Sequence, residues 1–98
     1  MNKTPGMLLL LAAAAGAKGD ARPPAGSHGF NWLEPGSPCV KLEAKDIARF
    51  ESCNLSENAF GIDLPSHACR VDAKVEYIVY ATAAQCEEAH ETMQANGD

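Results

Sequence analysis

A chain of 98 residues holds at most one small domain. Its 13 acidic and 8 basic residues give a net charge of −5, which argues against nucleic acid and anionic membrane surfaces as partners. With no glycine-rich phosphate loop and no basic patch in the sequence, composition names no reaction and no cofactor.

The chain opens with an export pattern. Met7 to Ala15 is an uninterrupted apolar run, preceded by Lys3 and followed by the small-x-small triplet Ala15-Gly16-Ala17. Residues 1–17 read as a secretory signal peptide cut near Ala17, because an apolar run of this length falls well short of the ~20 residues that span a bilayer. The expected destination is secreted or periplasmic, with no membrane span in the mature chain. Losing Lys3 moves the charge from −5 to −6. Leu, Ile, Val and Phe then number only 14 in the remaining 81 residues, below the ~20% at which a charged chain struggles to fold. Such a chain needs covalent staples.

Residues 18–27 are rich in Gly, Pro and Ala and carry no large apolar side chain, the composition of a flexible tail. Residues 28–98 form the single expected domain. Its first stretch, His28 to Pro38, holds Phe30, Trp32 and Leu33 in a turn-rich frame and reads as an extended aromatic arm lying over the domain. Val40 and Leu42 alternate with Lys41 and Glu43, as in a short strand. Over Glu43 to Asn54, Ala44, Ile47, Phe50 and Cys53 recur every third residue and predict a helix. Ser56 to Ala68 reads as a long loop anchored by Phe60, Ile62 and Leu64.

Cys69–Asp72 and Val75–Ala81 then predict a hairpin around Asp72-Ala73-Lys74. Val75, Tyr77 and Val79 fall on one strand face and Ile78 and Tyr80 on the other, the pattern of a central strand. Thr82 is a suitable N-cap for a helix over Ala83–Ala95, in which Cys86, Ala89, His90 and Met93 share a side and Asn96-Gly97 ends the run. The expected fold is α+β: β-α-β-β-α, a three-stranded sheet and two helices, preceded by the aromatic arm.

Four cysteines lie in the mature chain, Cys39, Cys53, Cys69 and Cys86. In an exported protein an even count without a Cys-x-x-Cys reads as two disulfides. The element order collects all four at one end. Cys53–Cys69 with Cys39–Cys86 is favoured because it ties the arm and first strand to the last helix; Cys39–Cys53 with Cys69–Cys86 is the nearest alternative.

Other constellations are weaker. Glu87, His90 and Glu91 share a helix side that could seat a metal with His67 or His28, but an acidic helix face with a histidine at the core edge accounts for them better, and no metal site is assigned. A Cys69–His67–Asp63 nucleophile needs a free thiolate, which a disulfide forbids. Asn54-Leu55-Ser56 fits a glycosylation acceptor but suits a helix end equally. Phe30, Trp32, Phe60, Tyr77 and Tyr80 are the candidate binding surface, because aromatics anchor interfaces.

These readings point to a small secreted, non-catalytic module that binds a protein or a component of the cell envelope. Two alternatives stand beside it. One is an inhibitor of a secreted hydrolase presenting the Ser56–Ala68 loop between Cys53 and Cys69. The other is a small metal-binding protein or enzyme using His67 and His90.

Overall fold

A computed structural model describes residues 20–96. The expected signal peptide, residues 1–17, lies outside the described residues, as do positions 18 and 19 of the expected tail. The elements are β1 (His28–Asn31), β2 (Val40–Lys41), α1 (Ala44–Ala48), β3 (Ser52–Ser56), a 3-10 turn (Ala59–Gly61), β4 (Ser66–Asp72), β5 (Val75–Tyr80) and α2 (Ala83–Asn96). The strands form one antiparallel sheet of five in the order β2-β1-β5-β4-β3. The fold is a small α+β domain with two helices and two disulfides.

The sheet has two more strands than the sequence predicts. The first four residues of the expected aromatic arm are β1, paired along its length with β5, so that Phe30 stands opposite Ile78 and His28 opposite Tyr80. The arm therefore does not lie over the domain; its first residues run through the middle of the sheet. Gly29 allows the close fit, since a Cβ there would meet the Ile78 carbonyl oxygen and Val79 Cγ2, each at 2.9 Å. Placing β1 beside β5 makes β5 a central strand with apolar groups on both faces, as its sequence requires.

The other additional strand is β3, which replaces the second half of the expected helix. Helix α1 stops after five residues, at Ala48. Two forces end it. The Glu51 N–H donates to the Arg70 carbonyl (2.7 Å), drawing the chain into the ladder. Cys53 then pairs directly with Cys69 across β3 and β4, their Cα atoms 4.1 Å apart. Ile47, Phe50 and Cys53 still reach one cluster, but the first two do so from around a helix end and the third from a strand. The three-residue spacing was real; the single helix inferred from it was not.

Pairing along the register divides the side chains into two faces. On one, Phe30, Ile78 and Tyr80 pack against Cys86 and Ala89 of α2, joined by half-buried Phe60, Ile62, Leu64 and Met93. The Thr82 hydroxyl accepts the Gln85 N–H (3.1 Å) and caps this helix. On the other face, Val79 and the Cys53–Cys69 pair lie under Leu42 and Phe50, with Ile47, Val71 and Tyr77 alongside.

Residues 20–27, read above as a flexible tail, reach into this second face. Asp20 bridges Cys53, and the Ala21 N–H donates to the Cys53 carbonyl (2.8 Å). The Arg22 guanidinium donates to the carbonyls of Ile47 (3.0 Å) and Phe50 (2.8 Å), at and just past the C-terminal end of α1, where the Ile47 carbonyl also accepts the Phe50 N–H (3.2 Å). Gly26 N–H bonds the Leu42 carbonyl and Leu42 N–H the Ser27 carbonyl, both at 2.8 Å. The segment is a strap, held by polar bonds that its composition does not advertise.

Candidate functional site

The loop joining β1 to β2, Trp32 to Cys39, carries the most exposed apolar surface next to the most fastenings. Among the described residues the exposed large apolar side chains are Trp32, Leu33, Val40 and Leu55. Three of the four come from this loop or the residue after it, while Leu55 stands on the far edge strand. Trp32 and Leu33 are adjacent in the chain and each 38% exposed, which makes them the candidate apolar contact of this loop.

The loop is tied down at five points. Buried Asn31 uses its side-chain carbonyl to accept the N–H groups of Leu33 (3.2 Å) and Glu76 (3.1 Å). The Trp32 indole N–H donates to Glu76 Oε1 (2.8 Å), whose other oxygen lies 3.8 Å from Arg70. The Asn31 N–H donates to the Ser37 hydroxyl (3.3 Å). The His90 Nε2–H of α2 donates to the Ser37 carbonyl (2.8 Å). Cys39 is bonded to Cys86 of α2, and this link closes a loop across 47 positions. A loop so held loses little further freedom on binding.

Beneath it lies an aromatic pile. The Phe30 ring meets His90 edge-on (4.9 Å between centroids) and stacks on Phe60 (5.9 Å), which in turn meets Trp32 edge-on (6.3 Å). Phe60 adopts φ 59°, the left-handed region that a bulky residue rarely enters. The turn holds it there so that its ring bridges the core and Trp32.

The five aromatics predicted as one surface are therefore separated. Phe30 and Tyr80 are interior residues, 0% and 1% exposed. Trp32 and Phe60 touch on the helix-covered face. Tyr77 lies on the opposite face against Phe50, 5.8 Å away. The Tyr80 phenol is fully enclosed, and no group reaches hydrogen-bond geometry with its hydroxyl. Burial pushes this phenol above its ordinary range; nearby Ser66 eases the shift and the Glu88 charge adds to it.

The candidate chemical groups are also placed. The Cys53–Cys69 and Cys39–Cys86 disulfides leave no free thiol among the described residues, so Cys69 presents no thiolate to His67. The register sets His67 opposite Val79, on the strap-covered face, where its Nδ1–H donates to the Ala21 carbonyl (2.7 Å). His90 lies on α2, across the sheet. Each imidazole fastens a loop to the fold, and no group of three or more metal-ligating side chains occurs among the described residues. The Ser56–Ala68 segment turns Phe60, Ile62 and Leu64 inward onto the α2 cluster.

Asn31, Ser37 and His90 are the positions whose part in the site the sequence does not show. Their spacing follows no motif, and only the observation that Phe30 and Trp32 flank an asparagine hints at an ordered turn. Among the described residues no helix is long and apolar enough to cross a membrane. No protein-family model, curated protein or solved structure matches the chain.

Proposed function

We propose that the protein is a secreted, non-catalytic binding module that docks a protein partner through Trp32 and Leu33 on the β1–β2 loop. The observation that carries this reading is the combination of exposure and restraint: an indole 38% exposed, fixed by its own N–H to Glu76 and seated on Phe60. Rigid, partly exposed Trp side chains dominate the binding energy of protein interfaces. Two disulfides suit an oxidising compartment, and a leader at residues 1–17 would deliver the chain there.

Affinity capture from native extracellular fluid tests it, with the oxidised protein as bait and two variants beside it. Trp32→Ala is expected to weaken capture of the principal partner by about thirtyfold, the effect of an interface anchor worth about 2 kcal/mol. Leu55→Ala, which removes a more exposed apolar side chain at the other sheet edge, should leave capture unchanged. Equal loss in both variants, or none in Trp32→Ala, overturns the assignment.

A further inference from the structure

We propose that the Cys39–Cys86 disulfide is a redox latch on the docking loop: a dithiol reductant opens it while Cys53–Cys69 stays closed, and the β1–β2 loop then comes free of α2. Its consequence for docking rests on the proposed role of Trp32 and Leu33; the chemistry of the link does not.

Exposure separates the two links. Cys53, Cys69 and Cys86 are each 0% exposed, whereas Cys39 is half-buried. Exchange requires an attacking thiolate to reach a sulfur, so access decides which link reacts. Neither end of Cys53–Cys69 offers that access. The pair lies with Leu42, Phe50 and Val79 in the buried cluster of the strap face, and Asp20 of the strap bridges Cys53. Cys39 instead follows exposed Pro38 and precedes exposed Val40. A reductant thiolate therefore attacks Cys39 Sγ. The S–S bond breaks, and Cys86 leaves as a thiolate and takes up a proton. The second thiol of the reductant then displaces Cys39, which is protonated in turn. The reductant ends as its own disulfide and the protein holds two thiols.

Position decides the consequence. Cys39 is the last residue of the loop and adjoins β2, a strand of two exposed residues at the sheet edge, paired with β1. The fastenings divide unevenly along the loop. Its first residues are held to the sheet, Trp32 through Glu76 and Leu33 through the Asn31 side chain. Its later residues are held by the disulfide and by Ser37, whose hydroxyl accepts the Asn31 N–H (3.3 Å) and whose carbonyl accepts the His90 Nε2–H (2.8 Å). Opening the link leaves the His90 bond as the remaining polar tie between α2 and the loop among the described residues. The stretch beside α2 then loosens, and a partner that docks on Trp32 and Leu33 must order it again.

Timed treatment of the folded protein with dithiothreitol, quenched with iodoacetamide and read by peptide mass mapping, tests the first step. Alkylation is expected at Cys39 and Cys86 about tenfold faster than at Cys53 and Cys69. Simultaneous labelling of all four, as global unfolding gives, or earlier labelling of Cys53 and Cys69 overturns the proposal. The Cys39→Ser/Cys86→Ser double variant tests the second step by ¹⁵N relaxation. Order parameters at Gly36 and Ser37 should fall from about 0.85 to below about 0.6 while β5 stays near 0.85. An unchanged loop, or loss of order in β5 as well, overturns it. Capture of the principal partner by the double variant should weaken about tenfold, the cost of ordering a loosened loop. Capture that the double variant retains and Trp32→Ala loses overturns the latch alone. Capture that Trp32→Ala retains, with labelling and relaxation as expected, overturns the docking role and leaves the latch standing.

Discussion

The two faces of the sheet are closed in different ways. One is covered by α2, a regular fourteen-residue helix, whose Cys86 and Ala89 pack on Phe30, Ile78 and Tyr80 and whose Cys86 is tied to the β1–β2 loop. The other is covered by a strap without regular structure and a helix of five residues, fastened by the Arg22 guanidinium, the His67 imidazole and the Cys53–Cys69 link. Both faces hold a buried apolar cluster and a cross-link, and the strap face adds side-chain hydrogen bonds from Arg22 and His67 to backbone carbonyls. A chain with few large apolar residues covers one cluster with a long helix and the other with a short helix and a strap pinned by polar bonds.

That contrast can be broken at several points. The largest expected effect is on the helix face. Replacing Cys39 and Cys86 together with Ser should lower unfolding free energy by about 4 kcal/mol in the chain-entropy account, because the link closes a long loop; chemical denaturation reads it. The same change at Cys53 and Cys69, separated by 16 positions, should lower it by about 3 kcal/mol. If the shorter link proves the more stabilising of the two, the two faces do not rank as their cross-links predict.

Arg22→Ala addresses the strap. Removing a guanidinium that donates to two carbonyls should lower unfolding free energy by about 2 kcal/mol; the Ile47 carbonyl it leaves behind keeps the Phe50 N–H (3.2 Å), while the Phe50 carbonyl loses its guanidinium donor. The Asp20 ion pair contributes little of this, since both side chains are substantially exposed. Amide exchange at Gly26 and Leu42 should accelerate, while exchange in α2 stays slow. Equal acceleration on both faces would show that strap and helix open as one unit.

The smallest effect belongs to Tyr80. Its hydroxyl is enclosed without a partner, so Tyr80→Phe should raise stability by up to about 1 kcal/mol. Because burial favours the neutral phenol in the folded state, the folded protein releases this proton at higher pH than the unfolded chain. Folding stability is therefore unaffected by this titration below pH ~10, the ordinary phenol value, and falls as pH rises beyond it. The Tyr80→Phe variant should show a shallower fall above pH ~10 in denaturation curves.

How much of this could be read from the sequence follows the same division. The α2 helix was legible because Cys86, Ala89 and Met93 recur with helical spacing behind a Thr cap, and the hairpin because β5 alternates. Two disulfides were legible from four cysteines in a chain that carries an export pattern. The strap was not, because Arg22 and Ala21 act through carbonyls whose positions exist only once the sheet is folded. β1 was hidden for a related reason: Gly29 is indispensable to its packing against Val79, yet glycine reads as a break in a strand. β3 was concealed by a spacing at Ile47, Phe50 and Cys53 that serves a helix end and a strand equally well. At the site, Trp32 and Leu33 could be picked out by their chemistry, whereas the separation of Tyr77 from Trp32 depends on the strand register, in which neighbouring residues of β5 point to opposite faces.

The proposed function depends on the β1–β2 loop being as rigid as the sheet that carries it, and backbone ¹⁵N relaxation of the oxidised protein tests that directly. The order parameters of Trp32 to Ser37 should match those of β5, at about 0.85. Values below about 0.6 across Trp32 and Leu33, with the sheet still ordered, would contradict it, because the five fastenings would then not be holding the loop they surround.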